Sequence, residues 1–575
     1  MTRQELVSRV LSGPLLADGS TGAELSRRGM PAGVCPEQWI LDHPDVFMAL
    51  EREYVDAGAQ ILLMPVFGAN RLKLEGFGLG GSVADINARL AALTRSVAAN
   101  GVLAAADLGP TGRFIAPLGD LSFNETISVY REQVRALLSA GPDLFVLETF
   151  MDLSEIRAAI LAVRDECDLP IVASMTFEGG RTLTGVTPEA AALAMTAAGA
   201  DVVGANCSSG PAEMCAVIAA MRSVAGTPLF AKPNAGVPRL EGGATVFPMG
   251  PEEFASGFAG ILRAGVHIVG GCCGAGPDHI RTLRAALDGY ATPSVSRRPA
   301  CVSSSRQVVM LSPVMPLIPI GERINPTGKP ALRRSLREGD YSVALDLARE
   351  QKQAGAPILD VNCGTGETDE AAALTGAVEQ LSAMTPLPLA IDTSDPSAME
   401  AALRRYPGRA LMNAVTAKPE SMERLLALCV RYGATPILLP MGDGLPPTKA
   451  EERMAVLETM LGAASRYGLS PTDVVVDVMV MAAASDPSVA PEAVRFAGMC
   501  RERGLITVAG VSNVSFGLPG RPILNRTYLA MLAAAGLNLA IVNPCDADVM
   551  DTLAAANLLT GRDEWGLGYI RTMKK

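Results

Sequence analysis

Residues 143–176 read DLFVLETFMDLSEIRAAILAVRDECDLPIVASMT and contain one complete unit of the pattern that decides the fold. Two apolar runs, DLFVLET (143–149) and PIVASMT (170–176), flank a stretch rich in Ala, Leu, Arg and Glu that is long enough for a crossover helix. Neither run alternates apolar with polar residues, which is typical of parallel strands buried on both faces. The stretch therefore predicts a strand–helix–strand unit of a parallel sheet.

The same unit recurs along both halves of the chain. The first half contains eight such apolar runs, at 14–18, 60–65, 101–107, 143–149, 170–176, 201–206, 228–232 and 266–270. The second half contains eight more, at 316–322, 356–362, 388–392, 409–415, 435–440, 473–478, 505–512 and 538–543. Eight unalternated strands separated by helices predict a closed parallel barrel. The predicted fold class is therefore α/β, with two tandem (β/α)8 TIM barrels joined by a short linker.

One segment, ATPSVSRRPACVSSSRQ (291–307), departs from this composition. It is rich in Ser, Pro and Arg and lacks periodic apolar residues, as linkers between domains do. We predict a first barrel over 1–290, a linker over 291–310 and a second barrel over 311–575.

Composition excludes several functional classes. The 575 residues are 49% hydrophobic and 19% charged, which supplies large cores and argues against disorder. The net charge of −11 gives no general attraction to nucleic acid or to an anionic membrane. No run of eighteen apolar residues predicts a membrane span, and the N-terminus lacks the features of a signal peptide. We expect a cytoplasmic protein whose eleven cysteines are thiols or metal ligands.

Three cysteines directly follow predicted strands of the first half. Cys207 ends the sixth strand in DVVGANCSSGP, and Cys272 and Cys273 end the eighth in VHIVGGCCGAGP. The carboxyl ends of barrel strands share one face, so the three thiolates are predicted to form a Zn²⁺ site with an open fourth position. A buried pair of small apolar thiols and a redox-active pair are the alternatives that this spacing leaves open.

A zinc ion held by three thiolates suits a soft fourth ligand. A substrate thiol at that position would have its pKa lowered and would stay nucleophilic, because the sulfur ligands are electron-rich. The site therefore indicates S-alkylation of a thiol. Other strand ends on the same face offer Asp18, Glu148 and Asn234, which we assign to binding the thiol substrate.

The strand ends of the second half carry acids and amides in place of sulfur. Carboxylates beside Asn side chains suit a flat heterocycle with alternating donors and acceptors. The alternative is that such residues merely cap the helices that follow. The candidates are Glu322, Asn325, Asp360, Asn362, Asp392, Asn413, Asp477 and Asn513.

Several motifs resemble the cobalamin-dependent methionine synthase family. LADGSTGAEL, VFGANRLKL, ANCSSGP, KPNAG and GGCCGAGPDHI resemble its homocysteine-binding barrel. GERINPTGK, ILDVNCG, IDTS, NAV and GVSNVSFGLPGRPILNRTYLAM resemble the methyltetrahydrofolate-binding barrel that follows it. The resemblance covers nearly the whole chain, in the family's domain order.

The resemblance implies a methyltransferase with roles for particular residues. Cys207, Cys272 and Cys273 correspond to the family's zinc ligands. Of the acid–amide set, the residues that fall where the family contacts the pterin are Asp392, Asn413, Asp477 and Asn513, and the resemblance suggests that Glu322, Asn325, Asp360 and Asn362 join them. The family moves a methyl group from 5-methyltetrahydrofolate to cob(I)alamin and then from methylcobalamin to homocysteine thiolate, forming methionine. No segment here resembles the family's cobalamin and reactivation modules, so another module or a separate protein is expected to supply the corrinoid.

The chemistry of this donor also assigns catalytic residues. N5 of methyltetrahydrofolate leaves well only when it is protonated or strongly hydrogen-bonded. We assign Asn513 to supporting the protonated N5, and the alternative for Asn513 is a residue that caps its own loop. Asp477 could hold that proton through a water, and Asp477 and Asp392 are expected chiefly to orient the pterin.

The chain departs from the family pattern near the thiol site, at Met64-Pro65-Val66 and at Ala275-Gly276. These departures leave open a different thiol acceptor, and a non-catalytic folate- and zinc-binding scaffold is the other alternative.

Overall fold

The computed structural model describes residues 1–99, 101–241, 244–366 and 369–574. The chain divides into two compact units, Met1–Arg298 and Pro299–Lys575. Each unit contains eight parallel strands in a ring with helices between them, so the prediction of two TIM barrels is confirmed. None of the described helices has the length and the apolar run needed to cross a membrane.

In the first unit the ring runs in the order β1-β10-β7-β6-β5-β4-β3-β2, and a bridge between Ala17 and Ile61 joins its two ends. The remaining strands, β8 and β9, form a separate antiparallel hairpin. The strands are β1 (Leu15–Leu16), β2 (Ile61–Leu63), β3 (Leu103–Leu108), β4 (Leu144–Phe150), β5 (Ile171–Met175), β6 (Val202–Asn206), β7 (Leu229–Lys232), β8 (Arg239–Glu241), β9 (Ala244–Val246) and β10 (Ile268–Val269). The helices are α1 (Arg3–Ser12), α2 (Thr21–Arg27), α3 (Pro36–Asp42), α4 (Pro44–Asp56), α5 (Arg71–Glu75), α6 (Val83–Val97), α7 (Phe123–Leu138), α8 (Leu153–Glu166), α9 (Pro188–Ala198), α10 (Pro211–Arg222), α11 (Pro251–Ala264) and α12 (Pro277–Ala286).

In the second unit the ring is closed in sequence order from β13 to β20. Its strands are β11 (Cys301–Ser303), β12 (Val308–Met310), β13 (Ile318–Ile324), β14 (Ile358–Val361), β15 (Leu389–Asp392), β16 (Leu411–Thr416), β17 (Thr435–Leu439), β18 (Val475–Asp477), β19 (Ile506–Gly510) and β20 (Leu539–Val542). Its helices are α13 (Pro330–Arg337), α14 (Ser342–Gln353), α15 (Glu370–Met384), α16 (Pro396–Arg405), α17 (Pro419–Tyr432), α18 (Ala450–Arg466), α19 (Val489–Glu502), α20 (Arg521–Ala535), α21 (Ala547–Leu559) and α22 (Leu567–Met573).

The N-terminal end of each barrel is closed by an element that precedes its first strand. In the first unit α1 places Leu6 and Val10 in the core beside the first residues of the strands. In the second unit the hairpin β11–β12 places Val302 and Val309 in the equivalent layer. Both barrels are therefore filled at this end, and their strand-end side chains face the opposite one.

The closing hairpin of the second unit lies inside the segment that was predicted as linker. Residues 301–310 pair as antiparallel strands, and Ser303 bridges to Arg409 beside β16. The boundary between the units falls at 298/299. The segment was predicted as a linker because it is rich in Ser, and its apolar runs, which fill the end of the barrel, are too short to stand out as strands.

We expect the closure of the first barrel to depend on Leu6. Leu6 is fully buried, whereas Leu11 on the same helix is 38% exposed. Leu6→Ala should lower the free energy of unfolding by about 2–5 kcal/mol, the usual cost of truncating a buried leucine. Leu11→Ala is the matched control and should cost less than about 1 kcal/mol. Urea unfolding followed by far-ultraviolet circular dichroism measures both, and equal losses would contradict this role of α1.

Candidate functional site

Three thiols meet at the carboxyl-terminal face of the first barrel. Cys207 follows β6, and Cys272 and Cys273 follow β10, with β7 between these two strands in the ring. The three sulfur atoms lie within 4.8 Å of one another, and Sγ of Cys207 is 4.0 Å from Sγ of Cys273. Zn–S bonds of ~2.3 Å in tetrahedral geometry place sulfur atoms about 3.8 Å apart, so the trio fits a zinc ion.

Backbone constraints hold the thiols in this arrangement. Cys207 and Ser208 adopt left-handed conformations with φ of 63° and 57°, which L-residues with a side chain rarely adopt. The N–H of Cys207 donates to the carbonyl of Lys232 at 3.0 Å, which ties the strained loop to β7. Strain of this kind persists only where the surroundings fix it, and it is concentrated at functional sites.

Asn234 positions the cysteine pair. Its Oδ1 accepts a hydrogen bond from the backbone N–H of Cys273 at 3.1 Å, and the N–H of Cys272 donates to the carbonyl of Pro233 at 2.8 Å. The loop after β7 therefore supports the loop after β10. Asn234 was predicted to contact the thiol substrate, and the structure places it as a support of a cysteine in that site.

Asn206 connects the thiols to two neighbouring strands. Its side chain is fully buried, and its Oδ1 accepts from the N–H of Thr149 and from Oγ of Ser174, both at 2.8 Å. Its Nδ2 donates to Oγ1 of Thr149 at 2.7 Å and lies 3.9 Å from Sγ of Cys272. Its role was not predicted, although its place immediately before Cys207 at a strand end could have indicated it.

The three thiols hydrogen-bond to one another, and these bonds determine which of the three is ionised. The thiols of Cys272 and Cys273 donate to Cys207 and lower its pKa to about 3. The bond to Cys207 in turn raises the pKa of Cys272 to about 11, and the pKa of Cys273 is raised for the same reason. The trio therefore has one thiolate ready, and a cation that binds it must displace protons from the other two.

A buried group of acids surrounds one lysine close to the thiols. Nζ of Lys232 lies 3.2 Å from Oε2 of Glu148 and 3.7 Å from Oδ1 of Asp18. Oδ2 of Asp18 accepts from the N–H of Leu63 at 2.7 Å. Asp107 interacts electrostatically with this group and with Cys272. The structure thus brings the predicted residues Asp18 and Glu148 together and adds Lys232 and Asp107.

Burial governs the charge of this group. It raises the pKa of Asp18 to about 6, and it raises the pKa of Glu148 and that of Asp107, the latter far above its usual range. Burial opposes the charge of Lys232, but Glu148 and Asp18 outweigh it and raise the lysine pKa. Lys232 and Asp107 are the last residues of predicted strands, but no pattern in the sequence indicates that Lys232 contacts Glu148 and Asp18.

The second barrel joins acids to amides across the ends of three consecutive strands, β14, β15 and β16. Nδ2 of Asn362 donates to Oδ2 of Asp392 at 3.0 Å, and Nδ2 of Asn413 donates to Oδ1 of Asp360 at 3.2 Å. Burial and the proximity of Asp392 raise the pKa of Asp360, and burial raises that of Asp392. Four of the predicted residues therefore form one polar patch at the strand ends.

The other predicted residues of this barrel differ in their surroundings. Oε2 of Glu322 accepts from Oγ of Ser512 at 3.1 Å, and burial raises its pKa. Oδ1 of Asp477 accepts from the N–H of Met479 at 2.6 Å, and burial raises its pKa to about 6. Oδ1 of Asn325 accepts from the N–H of Thr327 at 3.0 Å, which makes a local turn.

Asn513 does not lie on a strand. It belongs to a 3-10 helix, Val511–Ser515, that follows β19, and its side chain is exposed. Its amide makes no hydrogen bond to any described residue, so the alternative of a loop cap has no contact to support it. A cavity of about 310 Å³ opens beside this helix; its lining includes Glu322, Ser512, Arg521, Asn525, Asn543 and Asp546.

Comparison with known families matches each barrel separately. Residues 15–287 match the model of the homocysteine S-methyltransferase family, and residues 321–543 match that of the pterin-binding enzymes. The chain is 29% identical to the methionine synthase of Mycobacterium tuberculosis over 569 residues, which are 92% of this chain and 47% of that protein. It is also 29% identical to the methionine synthase of Mycobacterium leprae, over 94% of this chain and 48% of that protein. The chain thus spans about half the length of these relatives.

Two solved structures show similarity to one half each. The metallated form of the Escherichia coli homocysteine methyltransferase MmuM aligns with 49% of this chain and 98% of its own, with a TM-score of 0.42 and 23% identity. The dihydropteroate synthase of Xanthomonas albilineans in complex with 7,8-dihydropteroate aligns with 45% of this chain and 98% of its own, with a TM-score of 0.36 and 19% identity.

We expect the cysteine trio to bind one zinc ion per chain. Cys272→Ala removes one of three thiolates and should reduce bound zinc to less than about a tenth, because each thiolate contributes strongly to affinity. Cys215→Ala is the matched control, since Cys215 is a free, half-buried cysteine of the same unit outside the trio. Inductively coupled plasma mass spectrometry after dialysis against zinc-free buffer gives the stoichiometry. Full retention of zinc by Cys272→Ala would refute the site.

Proposed function

We propose that this chain moves a methyl group from 5-methyltetrahydrofolate to homocysteine through a corrinoid carrier. The chain is a methyltransferase that joins a homocysteine S-methyltransferase domain to a pterin-binding domain. The observation that carries the proposal is the meeting of three thiols at one barrel mouth, in a chain whose other barrel presents paired acids and amides. The first set suits a metal-activated thiol, and the second suits a pterin.

In the first barrel the chain supplies the metal ligands and leaves a position for the substrate. Cys207, Cys272 and Cys273 would hold Zn²⁺, and no fourth His, Cys, Asp or Glu of the described residues joins their group. Bound there, zinc would act as a Lewis acid that keeps a fourth, thiol ligand in its thiolate form. Three protein ligands and an open position are the arrangement of a catalytic zinc site.

Next to the thiols, the chain provides a negative field for the rest of the substrate. Asp18 and Glu148 are buried beside Lys232, and Glu148 interacts electrostatically with Cys272. We assign Asp18 and Glu148 to the amino-acid end of homocysteine, whose ammonium group a buried carboxylate stabilises. Asn234 acts by holding Cys273 in place.

In the second barrel the acid–amide patch would bind the pterin edge. The pairs Asn362–Asp392 and Asn413–Asp360 present both donors and acceptors at adjacent strand ends. Glu322 and Asn325 would extend the site along β13, and Asp477 would extend it along β18. A flat ring with alternating donors and acceptors can satisfy such a set, and burial strengthens each hydrogen bond.

Within this barrel Asn513 and Asp477 would assist departure of the tetrahydrofolate. Asn513 has an exposed amide with no partner in the described structure, so it is free to contact N5 of the donor. Asp477 is buried with a pKa of about 6, so it can hold or release a proton near neutral pH. Asp392 and its partner Asn362 would orient the pterin.

The corrinoid would come from another module or a separate protein. The thiol site and the pterin site belong to different barrels, so the methyl group needs a carrier that visits both. All eleven cysteines are free, which agrees with a reducing compartment, and we place the reaction in the cytoplasm.

The experiment that tests the proposal is a two-step transfer assay. The purified chain is first given methyltetrahydrofolate and cob(I)alamin, and formation of the methylated corrinoid is followed spectroscopically. Methylcobalamin is then supplied with a panel of thiols, including homocysteine. Transfer in both steps supports the proposal, whereas a chain that binds folate and zinc without either transfer is a scaffold. Transfer to another thiol alone would identify a different acceptor, which the departures at Met64-Pro65-Val66 and Ala275-Gly276 leave open.

We expect Asn513→Ala to slow methyl transfer from methyltetrahydrofolate to cob(I)alamin by roughly 10²–10⁴-fold, the usual range for a general acid–base contribution. Folate affinity should fall less than the rate, because the amide interaction strengthens as charge develops on N5. Stopped-flow absorbance gives the rate, and equilibrium titration gives the affinity.

The second methyl transfer provides a control within the Asn513→Ala variant. Transfer from methylcobalamin to homocysteine uses only the first barrel, so Asn513→Ala should perform it at the wild-type rate. A wild-type rate in the folate step would show that the role belongs to another residue of the acid–amide patch.

A further inference from the structure

A fully buried arginine of the second barrel contacts the residue that follows Asp477. Arg453 is the fourth residue of α18, and its side chain is fully buried. Its Nε donates to the carbonyl of Pro447 at 3.1 Å, and its Nη1 donates to the carbonyl of Val478 at 2.9 Å. The guanidinium therefore joins the loop before α18 to the end of β18.

This guanidinium lacks the partners that a buried charge normally has. Among the residues that the structure describes, its Nη2 has no hydrogen-bond partner, and Arg453 forms no ion pair. Burial of an unpaired charge is costly, and it lowers the pKa of this guanidinium. An apolar side chain of similar size would often pack as well in such a place, so the charge itself needs an explanation.

The turn that Arg453 contacts fixes one oxygen of Asp477. Oδ1 of Asp477 accepts from the N–H of Met479 at 2.6 Å, and Val478 lies between these two residues. Met479 adopts a left-handed conformation with φ of 58°, which a residue with a side chain rarely adopts, so the turn needs support from outside. Arg453 supplies this support by holding the carbonyl of Val478. The turn occupies Oδ1 and leaves Oδ2 of Asp477 for a ligand.

Asp477 lies in range of one positive and one negative group. Burial raises its pKa to about 6, whereas Arg453 lowers this pKa and Asp392 of β15 raises it. Without Arg453, the carboxyl group of Asp477 would therefore take up a proton at a higher pH. The other titratable groups that interact with the guanidinium are Glu452 of α18, Glu492 of α19 and Tyr528 of α20.

We propose that Arg453 is a positioning residue that fixes the turn after β18 and keeps Asp477 in its carboxylate form. The inference rests on the proposed function and deepens it, because it states how the second barrel sets the charge of a residue that binds the donor. A carboxylate accepts the N–H groups of a pterin edge, whereas a protonated carboxyl group turns one oxygen into a donor. Folate binding should therefore weaken as the pH falls through the pKa of Asp477.

The test measures binding of methyltetrahydrofolate to the full chain by isothermal titration calorimetry over a series of pH values. The binding midpoint is the pH at which the affinity has fallen to half of its plateau. Arg453→Met removes the charge and keeps a long apolar side chain, so its midpoint should lie about one pH unit above that of the wild type. Titration of the ligand itself is common to all variants, so it cancels in the comparison.

Arg453→Lys separates the charge from the hydrogen bonds. Lysine keeps the positive charge, but its ammonium lacks the planar fork that reaches two carbonyl groups. Its midpoint should stay within about 0.3 pH unit of the wild type, while its affinity falls, because the turn after β18 is less well held. A lysine variant with the midpoint of Arg453→Met would contradict the role of the charge.

Two controls distinguish this role from general packing. Arg409→Met removes another buried guanidinium of the same unit, which donates to the carbonyl of Gly433 at 2.9 Å and precedes β16. It should leave the midpoint unchanged. In an Asp477→Asn background, Arg453→Met should also leave the midpoint unchanged, because the group on which it acts no longer titrates. Circular dichroism of each variant verifies its fold.

The outcomes separate this inference from the proposed function. An Arg453→Met protein with the wild-type midpoint, or a shift that persists in the Asp477→Asn background, overturns the role of Arg453 and leaves folate binding standing. If Arg453→Met does not fold, the comparison of the wild type with Asp477→Asn decides the question, since identical pH profiles overturn the inference. A wild type that binds no methyltetrahydrofolate at any pH overturns the proposed function and this inference with it.

Discussion

The closed hydrogen bonding of parallel strands is the constraint on which both sites depend. When eight parallel strands pair in a ring, all of their carboxyl ends lie on one face, whatever the distance between them in sequence. Cys207 and Cys273 are 66 residues apart, and their sulfur atoms lie 4.0 Å from each other because β6, β7 and β10 are neighbours in the ring. The apolar closure by α1 and by the hairpin β11–β12 fills the other end, so each barrel has one face left for chemistry.

The carboxyl-terminal faces of the two barrels differ in the charge that they carry. The first collects thiols and buried acids around a single lysine, so it carries an excess of negative charge that suits a metal cation and a cationic substrate. The second pairs each of two buried acids with an amide from a nearby strand, so its carboxylates are already hydrogen-bonded. A neutral heterocycle can add to such pairs without a large change in charge. The contrast between the faces supports a division of labour between activating a thiol and binding a pterin.

The strands and the rim residues could be predicted because both depend on local patterns. Unbroken apolar runs marked the barrel strands, and the first polar or sulfur residue after a run marked the rim, as at Cys207 and Asp392. Interactions across the ring could not be predicted, because nothing in the sequence pairs Lys232 with Glu148 or Asn206 with Thr149. The hairpin at 301–310 was missed since its strands are only three residues long. The seventh strand was predicted to run to residue 512, whereas β19 ends at Gly510 and a 3-10 helix follows it.

The central claim is that one chain catalyses two methyl transfers that are linked only by a corrinoid. The most direct measurement supplies trideuteromethyl-tetrahydrofolate and homocysteine to the zinc-loaded chain, with and without added cob(I)alamin, and quantifies labelled methionine by mass spectrometry. We expect label in methionine only when the corrinoid is present, because the methyl group must leave one barrel before it reaches the other. Labelled methionine formed without corrinoid, or none formed with it, would contradict the claim.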